Sequence, residues 1–490
     1  MLAGGGLDAL GSGSQSDGSH KLSVWCGTWN MAAAPPPPDL QPWLNAGDHD
    51  IYAIGAQEAE RSIALSVLLP CKPRWLAAIS AAFGIRDRPD DEYALLANAD
   101  TGATSLVIVV RRSLLARICR LRRATIPAGF LSGTLPNKGG AGISLCIGAT
   151  SLLFVSAHLA PHAHAISTRD QQMIRIDRLL AYHLLPGGGG GGGGGGGVGG
   201  GGGGGYDEES AGWPSASASF DRVFWMGDFN YRVEMSVRQA KAILETVMNP
   251  NGVIDPNGLG GDPDGLGGDP DGSAKGASAA IARLLSADQQ TQLETAPALL
   301  RLHEAPIRFL PTYKLDKKTK YRTYSLKEKA KNERVPSWTD RVLFRANRSK
   351  SRERPHSANT TDTQAESAAN PPAASALGVS PPRYALAADP AAEISQLSYS
   401  ACVHPSLIGV SDHRPVLSTF LLSVELDKPP LPEKPPPPGL GGGLWSAIKR
   451  RTGAMRKGLS RSNPHALLFG RLPLTVEMGA IALLVVLFRR

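Results

Sequence analysis

The sequence predicts an α/β protein in which mixed β-sheets are covered by helices. Three observations lead there. Short runs rich in β-branched and aromatic residues alternate with helix-period stretches along much of the chain. Two of those runs are joined by a turn too short for a crossover, so at least one strand pair is antiparallel. Hydrophobic residues make up 42% of the chain, enough for a sizeable core, which excludes a wholly disordered polypeptide.

Taken in order, Leu22–Thr28, Asp50–Gly55, Ser105–Arg111, Gly142–Gly148, Leu152–Ala157, Arg222–Met226, Val342–Arg345 and Val416–Val424 read as strands. Gly148–Ser151 between two of them is a hairpin turn. Ser167 to Leu185 reads as a helix capped by Ser167 or Thr168, with Met173, Ile176, Leu179, Leu180 and Leu184 on its apolar stripe. Alternating strands and helices of this kind give mixed sheets with helices packed on their faces.

Length alone, 490 residues, allows roughly three domains. The 56 Gly and 38 Pro are clustered, however, which favours one large unit with inserted coil. A glycine tract occupies about 187–205, GLGGDPD occurs twice within about 249–275, and a Ser-, Ala- and Pro-rich stretch covers about 347–390. Glycine offers no side chain to bury and loses most entropy on ordering. The aspartates of the second stretch lack the spacing and closing Glu of an EF-hand. Residues 1–20 are expected to be disordered, 21–426 to form one large folded domain, 427–443 a Pro/Gly-rich linker and 444–490 a basic and apolar tail.

Lys plus Arg less Asp plus Glu is 52 − 43, or +9, which favours anionic partners: phosphates, nucleic acid or an acidic membrane face. The five cysteines, Cys26, Cys71, Cys119, Cys146 and Cys402, are spread out with no C-x-x-C pair. A disulfide framework or zinc site is not expected, and a reducing compartment is.

The informative residues stand where strands end. Val24–Trp29 ends at Asn30, Ile51–Gly55 leads to Gln57-Glu58, and Leu152–Ala157 is followed by His158. Val223–Met226 runs into Gly227-Asp228-Phe229-Asn230, and Ser411-Asp412-His413 precedes the last strand. Catalytic groups gather on loops held by a rigid sheet, and these are chemically complementary. Asn30 and Glu58 offer hard oxygens for Mg²⁺. Asp228 can take a proton from water that Asn230 orients. Asp412 is placed to fix His413 as a cationic donor to a phosphoryl oxygen, with His158 as a second donor. Together they make a kit for metal-assisted phosphoester hydrolysis.

The order WN, QE, H, GDxN, SDH resembles the endonuclease/exonuclease/phosphatase superfamily, a magnesium-dependent group. The resemblance implies a DNase I-like fold, a two-sheet β-sandwich flanked by helices. Further stretches select a branch: Asn137-Lys138-Gly139-Gly140, Pro311-Thr312-Tyr313-Lys314, and Arg334-Val335-Pro336-Ser337-Trp338-Thr339-Asp340-Arg341. With FWMGDFNYR they resemble the signature blocks of the inositol polyphosphate 5-phosphatase family.

That resemblance implies a Mg²⁺-dependent phosphatase removing the 5-phosphate from phosphatidylinositol phosphates, such as the 4,5-bisphosphate, or from soluble inositol polyphosphates. Asn30 and Glu58 would hold the metal, and Asp228 would be the base with Asn230 in support. His158 and His413 would contact the scissile phosphate, with Asp412 orienting His413. Asn137, Lys138, Tyr313, Lys314 and Arg334 would face substrate, while Asp340 and Arg341 would support their loop. Thr339 stands where the family usually has Cys, the glycine common after WN is missing from Met31-Ala32-Ala33-Ala34, Leu315 replaces an aromatic, and Glu333 replaces a basic residue.

Other readings are a nuclease of the same superfamily, which the basic pI suggests, and a non-catalytic lipid-binding membrane protein. No nucleic acid is expected, because NKGG and PTYK match the inositol branch.

In the tail, Lys449, Arg450, Arg451, Arg456, Lys457, Arg461 and Arg471 occur with no acidic residue between Lys434 and Glu477, a pattern attracted to anionic lipid. Leu472–Phe488 is mostly apolar, but only Met478–Phe488 is uninterrupted, short of the roughly 20 residues of a spanning helix. The expectation is a cytoplasmic catalytic domain associated with, or tail-anchored in, a membrane.

Overall fold

The computed structural model describes residues 20–129, 135–186, 214–247, 273–320, 322–327, 333–347 and 393–426. Eleven strands run in chain order: β1 (His20–Asn30), β2 (Ile51–Gln57), β3 (Tyr93–Thr101), β4 (Thr104–Arg111), β5 (Ile118–Pro127), β6 (Gly139–Ile147), β7 (Thr150–His158), β8 (Arg222–Asp228), β9 (Asp340–Ala346), β10 (Ile394–Ala401) and β11 (Val416–Val424). They form a six-stranded sheet, β10-β11-β1-β2-β4-β3, and a five-stranded sheet, β5-β6-β7-β8-β9. The predicted sandwich with flanking helices is therefore present.

Each sheet is antiparallel except for one central parallel pair, β1 with β2 and β7 with β8. Parallel neighbours bring their carboxyl ends to the same sheet edge, and that places the site. The sheets pack through one apolar layer that includes Val24, Cys26, Ile51, Ile108, Ile143, Phe154, Phe224, Met226 and Phe420. Both outer faces are covered too. Trp25, Trp29, Trp43 and Trp75 pack one sheet against the helix Pro73–Ala82, and Met173, Ile176, Leu180 and Leu184 of the helix Ile166–Leu184 cover the other. Burial on two faces explains why β2, β6 and β8 read as continuous apolar runs rather than alternating ones.

All eight predicted strands occur, with ends within three residues of those predicted; Asp50 and Gly148 fall just outside β2 and β6. The hairpin turn is the two residues Gly148-Ala149, with Gly148 at φ 56°. The long helix begins one residue earlier than predicted, at Ile166. Its N-cap position is Ala165 with no side-chain cap, so neither Ser167 nor Thr168 caps it. Three strands were not predicted, β3, β5 and β10, and a helix at Ser273–Leu285 starts inside the second proposed coil. The glycine tract, most of the other two low-complexity stretches, residues 1–19 and the whole of 427–490 lie outside the described residues. No helix among the described residues is long and apolar enough to cross a membrane.

Candidate active site

The two parallel pairs deliver their last residues to one edge of the sandwich. Asn30 is in register with Gln57, and His158 with Asp228. Across the gap between the sheets, Asn30 Nδ2 donates to Asp228 Oδ2 at 2.9 Å. Below this contact Gln57, fully buried, accepts from Thr28 Oγ1 at 3.2 Å and donates to Ser156 Oγ at 3.3 Å. The Asn30–Asp228 and Gln57–Ser156 bonds cross between the sheets and hold the two ends in fixed relation. Gly227 of the GDFN block lets β7 and β8 close there, because a Cβ on it would stand 2.0 Å from the Ala157 carbonyl oxygen.

Glu58 follows β2 with φ 52°. Its N–H donates to Ala103 O at 2.7 Å and its own carbonyl accepts from Ala33 N at 2.8 Å. Ala32 and Ala33 adopt φ 48° and 69°, conformations that favour glycine. The loop after Trp29-Asn30 thus makes a glycine-like turn without a glycine. Glu58 Oε1 lies 3.8 Å from His158 Nε2, too far for a hydrogen bond. That leaves its lone pairs for a ligand. Asn30 Oδ1 accepts from Ala32 N at 3.0 Å and has a second lone pair. An amide oxygen beside a carboxylate is a donor set that fits a hard divalent cation.

Asp228 is buried and accepts from Asn30 and from Asn230 N at 3.2 Å. Burial works to raise its pKa, but contact with His158 and the charges of His413 and Lys138 outweigh it. The carboxyl is held well below the usual carboxylate range. Its neighbour His158 has Nε2 3.3 Å from Asp228 Oδ2 and 2.5 Å from Lys138 Nζ. Burial, then the Lys138 charge, pushes the imidazole below its ordinary value. His158 Nε2 thus stands between the buried Asp228 carboxylate and the buried Lys138 ammonium, whose own pKa desolvation lowers. Asn230, at φ 60°, donates from Nδ2 to Leu159 O at 3.1 Å, and its Oδ1 accepts from Arg232.

His413 enters from the loop before β11. Its carboxylate partner is Asp340 and not the adjacent Asp412. Asp340 Oδ2 lies 2.9 Å from His413 Nδ1, whereas Asp412 Oδ1 is 4.0 Å from Nε2. The reason is register: β8 and β9 pair Asp228 with Asp340, which puts the Asp340 carboxylate beneath the imidazole. Thr312 Oγ1 and Thr339 Oγ1 donate to Asp340 Oδ2 at 2.7 and 2.9 Å, so Thr339 supports the site through Asp340. Burial opposes a charge on His413, yet Asp340, then Asp228 and Asp412, push its pKa up to about 10. Ligand atoms of Asp228, Asp340 and His413 lie within 4.8 Å of one another. With Nδ1 protonated toward Asp340 and the ring charged, this group is a hydrogen-bonded dyad beside a carboxylate and does not suit a cation.

Basic residues surround this centre. The Tyr313 ring lies tilted against His413 with centroids 4.3 Å apart, and the Arg232 guanidinium sits 4.6 Å from the centroid of the same Tyr313 ring. Lys314 Nζ is 3.5 Å from Asp412, so Asp412 steadies a rim lysine. Asn137 and Lys138 are buried at the start of β6. Arg334 Nη1 donates to His162 Nδ1 at 3.1 Å. The loop carrying His162 is held from below by Arg169, fully buried, which donates to the carbonyls of Ala160, His162 and Ala163 and to Gln289. Sequence reading missed three contributors. Asp340 was read as loop support, and Arg232 and His162 were not singled out. The GDFNYR block did contain Arg232, but only register exposes Asp340 as the imidazole's partner.

The chain matches the model of endonuclease/exonuclease/phosphatase family 2 over residues 27–419. It is 25% identical over 349 residues to phosphatidylinositol 3,4,5-trisphosphate 5-phosphatase 2 of Sus scrofa, covering 68% of this chain and 22% of that protein. It is also 25% identical over 341 residues to phosphatidylinositol 3,4,5-trisphosphate 5-phosphatase 1 of Homo sapiens, covering 66% and 23%. The chain thus spans about a fifth of the length of these curated relatives. In fold it is similar to the inositol polyphosphate 5-phosphatase domain of SPsynaptojanin, solved with inositol (1,4)-bisphosphate and calcium ion. The TM-score is 0.51 at 20% identity, over 83% of this chain and 85% of that one. With the family's model covering most of its length, and the strand-end residues gathered at one edge of a two-sheet sandwich, the chain belongs to the endonuclease/exonuclease/phosphatase family 2.

Proposed function

We propose that this protein is a Mg²⁺-dependent phosphatase that removes the 5-phosphate of phosphatidylinositol phosphates, such as the 4,5-bisphosphate, or of soluble inositol polyphosphates. The observation that carries the reading is the pairing of a buried Asn30–Asp228–His158–Lys138 centre and a charged His413 with a rim that includes Lys314 and Arg334. A scissile phosphate bound at the centre would leave neighbouring phosphates of the same ring within the cationic rim. Adjacent phosphates need fixed positive charge to offset their repulsion.

In this mechanism Asn30 and Glu58 would hold the divalent cation, which when bound would supply Lewis-acid stabilisation of phosphoryl charge. Asp228, ionised throughout the physiological range, aligns the attacking water and takes its proton as the bond to phosphorus forms. Asn230 fixes the Asp228 carboxylate through its backbone N–H. His413 keeps its proton because of Asp340, so it presents a preorganised cationic donor to a non-bridging oxygen. Lys138 adds a second positive charge, with His158 holding it in place. Positioned charge of this kind is most of what phosphoryl transfer needs.

The similarity to phosphatidylinositol 3,4,5-trisphosphate 5-phosphatases supports a phosphoinositide substrate, and the basic tail supports a membrane-associated enzyme whose catalytic domain faces the cytoplasm. A chain truncated at Leu426 should keep its rate on soluble inositol 1,4,5-trisphosphate and lose rate on anionic vesicles. Equal loss on both substrates would count against a targeting role for the tail.

A further inference from the structure

Five free cysteines scattered through the sequence become, in the fold, one facing pair and three others. Cys119 on β5 and Cys146 on β6 are directly opposed partners in an antiparallel pair. Ile118 and Ile147 belong to the inner layer between the sheets, so side-chain alternation puts both cysteines on the outer face. There the helix Ile166–Leu184 covers the middle of β6 at Gly140 and Gly142. Its last turn reaches β5 where Arg122 bonds the Leu184 carbonyl, leaving the cysteines just beyond its end. Cys119 is partly exposed and Cys146 nearly buried.

Directly opposed antiparallel residues have Cα atoms about 4.5–5.5 Å apart, inside the roughly 4.4–6.8 Å spanned by disulfides. We propose that Cys119 and Cys146 are a reversible thiol–disulfide site, closed by a small anionic disulfide such as oxidised glutathione and opened by excess thiol. Cys119, the more accessible thiol, loses its proton and attacks one sulfur of the glutathione disulfide. A mixed disulfide forms and one glutathione thiolate leaves. Cys146 then gives up its proton and attacks the Cys119 sulfur, expelling the second glutathione thiolate. Two electrons pass from the protein thiols to glutathione, and the two released protons end on its two thiols. The order follows from the site. Burial pushes the Cys146 thiol up to about 11, which makes it a poor first attacker, whereas Arg117, Arg120, Arg122 and Arg123 on either side of Cys119 attract an anionic reagent.

The consequence lies in the sheet. β5 is an edge strand, and its register breaks between Cys119 and Arg122, with Arg120 at φ 52°. A bridge immediately before that break staples the edge to β6 and closes the segment that contains Asn137 and Lys138. Because Cys146 lies at the end of β6 opposite Lys138, the bridge should alter stability and leave the rate at the site nearly unchanged.

The test uses the reduced full-length chain, incubated with oxidised glutathione, alkylated and mapped by mass spectrometry, with Cys119→Ser in parallel. Expected are loss of two hydrogens, a bridged Cys119–Cys146 peptide pair, and a melting temperature about 5 °C above the reduced protein. Cys119→Ser should give no bridge, leave Cys146 alkylatable once unfolded, and show no oxidation-dependent shift. A stable mixed disulfide on Cys119 with Cys146 still free, or a bridge that persists in Cys119→Ser, would overturn the proposal. The wild-type peptide map decides the matter even if the variant folds poorly.

Discussion

Replacing Asp340 by Asn isolates the role of the imidazole's charge. Asp340 accepts from Thr312, Thr339 and His413. An asparagine can keep the two threonine bonds through its amide oxygen while its NH₂ turns to His413 Nδ1, a donor facing a position that must also donate. The ring must then give up its Nδ1 proton or turn away. With its pKa near 10, His413 is fully charged at pH 7.5; at the unperturbed value of about 6.5 roughly a tenth would be, and burial lowers that further. Loss of charge therefore costs at least about tenfold, and loss of orientation brings the expected fall in kcat to about 10²–10³. The assay is phosphate release from soluble inositol 1,4,5-trisphosphate across pH 6 to 9.5, with circular dichroism to confirm folding. Wild-type kcat should hold until pH nears 10, while the variant should lose rate as pH rises through neutrality. The sign for stability agrees: His413 has a raised folded pKa, so its contribution is complete below about 6.5 and fades as pH climbs toward 10. A folded variant with kcat within fivefold of wild type and the same pH profile would refute the reasoning.

Asp228→Asn should lower kcat by about 10³ or more with KM within a few-fold, since the lost interaction belongs to the transition state; unchanged kcat would remove Asp228 from the mechanism. His162→Ala frees Arg334 from its Nδ1 acceptor and should raise KM about three- to tenfold with kcat within twofold, a split that a general loss of folded enzyme would not produce. Arg341 is buried and bonds Asp288 at 2.6 Å, Glu304 at 3.0 Å and the Trp338 carbonyl at 2.8 Å. Arg341→Ala leaves those carboxylates without their cation and should cost about 3–5 kcal/mol in urea unfolding; a loss under 1 kcal/mol would contradict that account.

What the sequence made legible, and what it hid, follows the position of each strand in its sheet. Interior strands stand out either as apolar runs buried on both faces or, in β11, as a clean period-two alternation, and all of them were predicted. The three missed strands are all edges. β3 and β10 flank the larger sheet and β5 borders the smaller, and each carries a register break: Leu95/Ala97, Gln396/Ser398 and Cys119/Arg122. A strand paired on one side needs fewer apolar residues, and a bulge shifts its alternation, so the period-two signal fails. The arginines of β5 fit the way exposed edges avoid joining other strands. The candidate site was legible because its residues end interior strands. Asp340 was harder to see: Asp412 is next to His413 in sequence, while Asp340 reaches it only through the pairing of β8 with β9.

The central claim is tested most directly by phosphate release from the full-length chain. Soluble inositol 1,4,5-trisphosphate and vesicles carrying phosphatidylinositol 4,5-bisphosphate would be offered with Mg²⁺ or EDTA, beside Asp228→Ala. The account predicts release from at least one substrate that EDTA and the substitution both abolish. A folded protein that releases no phosphate from either substrate, or releases it equally well with EDTA and without Asp228, would contradict it.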